Sequence, residues 1–411
     1  MRKKFLLLAL TFSIAISMLA GCDKEKYQPN TDLKNISDYD YTKFNGQDIT
    51  INVANWGEYM AVNDSDYLDV NKSFEKLTGI KVNYKTCSTN EELYAKLKSG
   101  GADYDVIVPS DYMISRMIKE KMIQKLDFNN IPNNSLINEK FDNPVYDPTN
   151  EYSVPYMWGI VCLIYNKTMI TDKIDSWDAL WDEKYKNNIL MFNNPRDAFG
   201  IALIKNGYSL NTENKAELEK AAKSLKEQKS VVQSYVMDEI FDKMEGGSAA
   251  IAPYYAGDAV TMMAENTDLT YAIPKEGTNQ FVDAACIPTV AKNKEAAEMY
   301  INFLNEPEIA FANCDYVGYS TPNDGAFDLL DDDVKNNPLQ YPDDEFLKTK
   351  TEFFNNLSDE TNDYTQKLWN EIKITSKSTG GMIIVIFLIL AILATIFINV
   401  KRIIKKNQDA F

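Results

Sequence analysis

The chain contains no histidine. The side chain that most often serves as a general base near neutral pH, and most often ligates zinc, is therefore missing. Enzymatic chemistry is left to carboxylates and lysine. Positive charge is also scarce: 43 basic residues face 60 acidic ones, a formal net charge of −17, which argues against nucleic acid as a partner. Of the five cysteines, the four that follow Cys22 (Cys87, Cys162, Cys286 and Cys314) match no metal-ligand spacing. They allow three pairings, among which the sequence does not choose, and buried thiols are the default expectation. Asp331-Asp332-Asp333 reads as a solvated turn. No metal and no cofactor are expected.

Two apolar runs, one near each end, bear on the compartment. Met1-Arg2-Lys3-Lys4 precedes an apolar stretch from Phe5 to Ala20, the layout of a secretory signal. It closes on Leu19-Ala20-Gly21-Cys22, which resembles the lipobox of bacterial lipoproteins; that resemblance implies lipidation at Cys22. Met382 to Val400 carries no charge and predicts a transmembrane helix over 381–400, with Lys401, Arg402, Lys405 and Lys406 marking a cytoplasmic tail over 401–411. The region between lies on the extracytoplasmic face, and its acidity favours cationic ligands at encounter.

From residue 48 onward, strand-like and helix-like segments alternate, the mark of an α/β fold around a largely parallel sheet. Ile51 to Ala54 reads as a strand that exits into Asn55-Trp56-Gly57-Glu58-Tyr59. Tyr104 to Val108 exits into Ser110-Asp111-Tyr112 and a helix. Tyr152 to Tyr165 predicts a long strand, and Ser176 to Trp181 a short amphipathic helix. Ile189 to Phe192 delivers Asn194 and Asp197 to a helix start, and Ser248 to Pro253 delivers Tyr255 and Asp258. Glu345 to Lys373 reads as helical. Ligands of open α/β sheets sit beyond the carboxyl ends of the strands. Aromatic rings and acids recurring at those exits therefore point to a cleft for an organic cation. Each acid also has a duller role, since Asp111, Asp197 and Asp258 stand at helix starts, where a negative charge favours the dipole.

Several blocks, in order, carry a wider resemblance: Asn55-Trp56-Gly57-Glu58-Tyr59, Tyr94-Ala95-Lys96-Leu97, Val108-Pro109-Ser110, Met122-Ile123-Gln124-Lys125-Leu126, Tyr152 to Gly159, Pro274-Lys275-Glu276-Gly277, and Gly318 to Asn323. Over roughly residues 49–372 the chain resembles the spermidine/putrescine-binding proteins of bacterial polyamine ABC importers. The resemblance implies a two-lobed periplasmic-binding-protein fold of type II and a receptor that delivers polyamine to permease subunits driven by a cytoplasmic ATPase. It implies a monomer without catalytic activity. One lobe is expected from 48–158 and 282–325, the other from 159–281 and 326–376, behind a signal peptide (1–21) and a lipidated polar tether (22–47). Family ligand positions fall on Trp56, Gly57, Tyr59, Ser110, Tyr112, Asn194, Asp197, Tyr255, Phe281, Asp283 and Tyr319. Asn194 stands where the family can carry Asp, and a family Gln is replaced around Phe353.

A polyamine site needs carboxylates at the ammonium spacing and flat apolar walls between them. Asp283 and Asp197 are assigned the ammonium contacts, with Asp111 and Glu58 as further candidates. Trp56, Tyr59, Tyr112, Tyr255, Phe281 and Tyr319 would form the walls. Two other readings stand beside this one: a surface-anchored hydrolase working with paired carboxylates, and a binding protein for another small solute such as ferric iron.

Overall fold

The computed structural model describes residues 27–374. Its centre is one sheet built from βαβ units, whose inner strands over 153–166, 189–192, 251–255 and 278–286 are buried almost throughout, while the edge strand over 81–87 keeps Lys81, Asn83 and Lys85 exposed. In chain order the elements of the first half are β1 (Thr50–Trp56), α1 (Val70–Thr78), β2 (Lys81–Cys87), α2 (Asn90–Lys98), β3 (Val106–Ile107) and α3 (Asp111–Lys119). β4 (Ser153–Asn166) follows, then β5 (Ile189–Phe192), α4 (Pro195–Lys205), α5 (Lys215–Gln228), β6 (Val232–Val236), α6 (Ile240–Glu245), β7 (Ile251–Tyr255), α7 (Ala256–Glu265) and β8 (Leu269–Ala272). β9 (Thr278–Cys286) returns to the first half, with α8 (Lys294–Leu304) and α9 (Pro307–Val317) packed on it. α10 (Asp344–Lys350), β10 (Thr351–Phe353) and α11 (Asp359–Ile374) complete the described chain.

The strand order is β2-β1-β3-β9-β4-β7-β5-β6, with β10 beside β9 and β8 beside β4. β1 pairs in parallel with β2 and β3, and β5 in parallel with β6 and β7. β4 and β9 run antiparallel between these groups. β4 changes partner along its length: Ser153 to Ile160 lies against β9, while Val161 to Asn166 lies against β7 and β8. A register shift between Pro155 and Met157 bends it, as expected of a residue with no N–H to give the ladder. Separate apolar cores flank this junction. One gathers Leu163, Trp177, Phe192, Phe199 and Leu225 around β5 and β7; the others gather Val53, Phe74, Tyr300 and Phe303, and Ile107, Met113 and Trp158, on the two faces of the β1–β3 group.

Local chemistry fixes the element limits. α1 begins at Asp69, whose carboxylate accepts from the Lys72 amide, and stops at Gly79 with φ of 73°. Two expected segments form differently. Trp177–Trp181 is a 3-10 turn, held by Ser176 as its cap and by the Trp177 indole donating to the Gly277 carbonyl at 2.9 Å. The run expected as one helix over 345–373 is broken by β10, because Thr351 to Phe353 pair with Thr278 to Gln280 of β9.

The fold class needs one correction. The two-lobed α/β architecture stands, but among the described residues no helix is long and apolar enough to cross a membrane. The transmembrane helix expected over 381–400 is therefore no part of the described fold; like the signal peptide, Cys22 and the 401–411 tail, it lies outside the described residues.

Cys87, Cys162, Cys286 and Cys314 are free thiols and all buried. In a Cys22→Ser protein, Ellman's reagent is expected to reach essentially no thiol in the native state and four per chain in guanidinium without reductant. Fewer than four in the denatured protein would mean a disulfide and contradict this arrangement.

Candidate functional site

The carboxyl ends of β1, β3, β5 and β7 converge on one cavity of about 80 Å³ between the halves. β1 supplies Trp56 and, past the turn at Gly57, Tyr59. β3 leads into Ser110, Asp111 and Tyr112 at the start of α3. β5 leads to Asn194, which caps α4 by accepting from the Arg196 amide at 2.9 Å, and to Asp197 in the first turn. β7 ends in Tyr255, and α7 brings Asp258. Alternation along β9 turns Asn279, Phe281 and Asp283 inward, and Tyr319 follows the left-handed Gly318 at the end of α9. Of the thirteen ligand positions expected from sequence, the structure brings twelve to this cavity.

Glu58 is the exception. Its backbone takes φ of 47°, the side chain is exposed, and it lines an outer groove with Asp64 and Tyr67 instead. A left-handed residue in the turn after Gly57 faces solvent while its neighbours Trp56 and Tyr59 face inward, so Glu58 stands outside the cavity. Asp111 reaches the cavity, yet its oxygens accept from the amides of Tyr112 at 2.6 Å and Val282 at 3.3 Å. It holds α3 against β9. Of the adjacent phenylalanines, Phe354 lines the cavity, whereas Phe353 is 41% exposed.

Carboxylates and phenols alternate around the cavity. Tyr59 Oη donates to Asp283 Oδ2 at 2.7 Å, Tyr255 Oη to Asp197 Oδ2 at 2.9 Å, and Tyr319 Oη to Asp258 Oδ2 at 2.8 Å. Tyr112 Oη donates to Glu91 Oε1 at 3.0 Å. The rings pack edge to face, Tyr59 on Tyr319 at 4.6 Å and Tyr255 on Phe281 at 5.4 Å. Clearances are tight: a Cβ on Gly257 would overlap the Tyr319 ring, and one on Gly57 would overlap the Asp238 carboxylate across the cleft.

The charge balance is one-sided. Asp111, Asp197, Asp238, Asp258 and Asp283 line the cavity, and among the described residues no lysine or arginine does. Arg196 is buried behind it, donating to the Leu210 and Asn355 carbonyls and to Asn211 Oδ1, with its guanidinium 4.2 Å from the centre of the Phe354 ring. Burial pushes the Asp197 carboxyl up to about 7, against the pull of the Tyr255 hydroxyl. It pushes Asp283 up to about 6, with Ser110 and Tyr59 opposing, and raises Asp258 and Asp111 well above the usual carboxylate range. Asp283 Oδ1 is buried without a well-formed hydrogen bond among the described residues, the Ser110 hydroxyl being near enough to favour the ionised form but not aligned on it. Such an oxygen costs on the order of 1–3 kcal/mol unless a donor arrives.

Asp258, Asp238, Glu91, Tyr254 and Phe354 were not among the expected site residues. Asp258 was legible, because it follows a strand exit by three residues, one turn of α7 beyond Tyr255. Asp238 and Glu91 lie on stretches whose sequence gives no sign of which way they face.

A cavity between two α/β halves, bridged by two strands and lined from both sides, defines a two-lobed solute-binding protein. The profile of the bacterial extracellular solute-binding protein family matches residues 70–342, and the chain belongs to that family. It is 38% identical over 325 residues to the spermidine/putrescine-binding periplasmic protein of Salmonella typhimurium, covering 78% of this chain and 91% of that one. It is 32% identical over 342 residues to the putrescine-binding periplasmic protein SpuD of Pseudomonas aeruginosa, covering 79% and 91%. Among solved structures, a spermidine/putrescine ABC transporter protein from Listeria monocytogenes superposes with a TM-score of 0.75 at 39% identity, over 80% of this chain and 99% of that one.

The raised carboxyls set the sign of a pH effect. A cation binds the ionised form, so its affinity rises as pH climbs through about 6 and about 7, the values of Asp283 and Asp197. Empty protein responds oppositely: groups raised from 3.8 in this way lose their stabilising contribution as pH rises through the same window. Putrescine is expected to bind at least about tenfold more weakly at pH 5 than at pH 8. Affinity that is flat across that range, by calorimetry, would contradict the assignment.

Proposed function

We propose that this chain is the extracytoplasmic receptor of an ABC importer, capturing a polyamine (spermidine or putrescine) and handing it to the permease. The observation that carries this reading is the buried Asp283 carboxylate, served by hydroxyls alone, in an aromatic cavity lined by acids and, among the described residues, by no cationic side chain. An ammonium supplies both an aligned donor and the missing charge. Charge-assisted hydrogen bonds are about twice as strong as neutral ones, and ring faces add ~0.5–2 kcal/mol each. A second carboxylate, Asp197, takes the other ammonium of a diamine, while Trp56, Phe281 and the tyrosines cover the methylenes. The relatives named for these ligands support the same class of solute.

The lobes are 48–158 with 282–325 and 159–281 with 326–376, rotating about β4 and β9. The ligand positions are the twelve that meet in the cavity, joined by Asp258. The receptor works as a monomer without turnover. Lipidation at Cys22 would hold it by its 22–47 tether beside a permease on the outer face of the membrane. The lack of bare helix N-termini around the cavity, with acids in those first turns instead, disfavours an anionic solute.

Isothermal titration with putrescine, spermidine and a neutral sugar tests the reading. Both amines are expected to bind below the high micromolar range, and the sugar not at all. Asp283→Asn is expected to weaken amine binding about 30- to 100-fold, the equivalent of ~2–3 kcal/mol. A wild-type protein that binds neither amine would end the proposal; an unchanged Asp283→Asn affinity would move the anchor elsewhere.

A further inference from the structure

The face of β9 opposite the cavity is also hollowed. Gln280 and Val282, pointing away from Phe281 and Asp283, line a second recess of about 480 Å³. Its walls come from the loop 140–146 on one side and the segment 344–356 on the other. Val145 and Phe353, 80% and 41% exposed, give it apolar surface. Asp111 and Phe354 line both this recess and the cavity.

Two donors in the recess are unused. The Tyr146 side chain is 7% exposed, and its hydroxyl is buried with no hydrogen-bond partner among the described residues. The Lys140 ammonium stands 4.3 Å from the centre of the Trp158 ring and forms no ion pair or hydrogen bond among the described residues. The nearby acids answer them only in part: Asp344 and Asp324 attract the Lys140 ammonium without pairing with it, burial still lowers its pKa, and Asp111 accepts from two amides. An anionic head on an apolar body matches this lining, the charge meeting Lys140 and an oxygen accepting from Tyr146.

We propose that the recess is a second ligand site, taking a small organic anion with an aromatic or aliphatic body, and that its occupancy favours the closed cleft. The coupling rests on the hinged receptor reading above. The two walls belong to opposite lobes, and the strands about which the lobes turn lie between recess and cleft. Rotation that narrows one therefore widens the other. A molecule that fills the recess opposes its narrowing and holds the cleft shut. By linkage, polyamine and anion each raise the other's affinity by the same factor.

Fluorescence titration of the full chain with 1-anilinonaphthalene-8-sulfonate, with and without saturating putrescine, tests this. One dye per chain is expected, bound about fivefold more tightly with putrescine present. Lys140→Glu combined with Phe353→Asp is expected to weaken the dye at least tenfold while putrescine still binds; Tyr146→Phe alone is expected to weaken it less. Dye that binds the double variant as well as the wild type, or that putrescine displaces or leaves unchanged, would overturn the proposal. Putrescine binding is read separately by calorimetry without dye. Its absence in the wild type would end the receptor reading and the coupled site together; its presence with an indifferent dye would overturn the coupled site and leave the receptor reading standing.

Discussion

The structure turns on carboxylates kept in a buried place with too few partners. Asp283, Asp197 and Asp258 each receive one phenol hydrogen bond, which steadies the oxygen it touches and supplies no positive charge. In water each carboxylate would be ionised at neutral pH, whereas here burial raises all three. The arrangement costs stability, as buried unpaired charge always does. A cation that enters relieves that cost, so affinity comes from a strain the fold has already absorbed.

What holds the strain in place is the sheet. Strand ends from both halves set the aromatic and acidic side chains around one space, and β4 and β9 tie the halves through an antiparallel ladder broken only at Tyr156. Backbone pairing fixes which residues face inward: Phe281 and Asp283 line the cleft because they alternate with Gln280 and Val282. The same alternation gives β9 a second functional face. Arg196 reinforces the arrangement from behind, joining the first turn of α4 to the Asn355 carbonyl and keeping a guanidinium out of the cavity.

Much of this was legible in the residues. The α/β alternation follows from apolar periodicity, and the convergence of Trp56, Ser110, Asp197 and Tyr255 follows from the rule that ligands sit at strand exits. Sequence failed where the deciding force is tertiary. Glu58 reads as part of its motif but sits in a left-handed turn that exposes it. Asp111 lines the cavity as expected, but no local pattern shows that its oxygens also serve two amides. Phe354 shares the cavity because β10 pairs with β9, a contact no local pattern announces. Asp238 belongs to the site only through the opposite lobe, where it meets Gly57.

Side-chain carbon NMR reads the protonation of the buried cleft carboxyls directly. With aspartate labelled at Cγ, Asp283 and Asp197 are expected to titrate near 6 and near 7 in the empty protein. Saturating putrescine is expected to lower both midpoints into or below the ordinary carboxylate range. Midpoints that already lie in that range without ligand, or that do not move when it binds, would contradict the account.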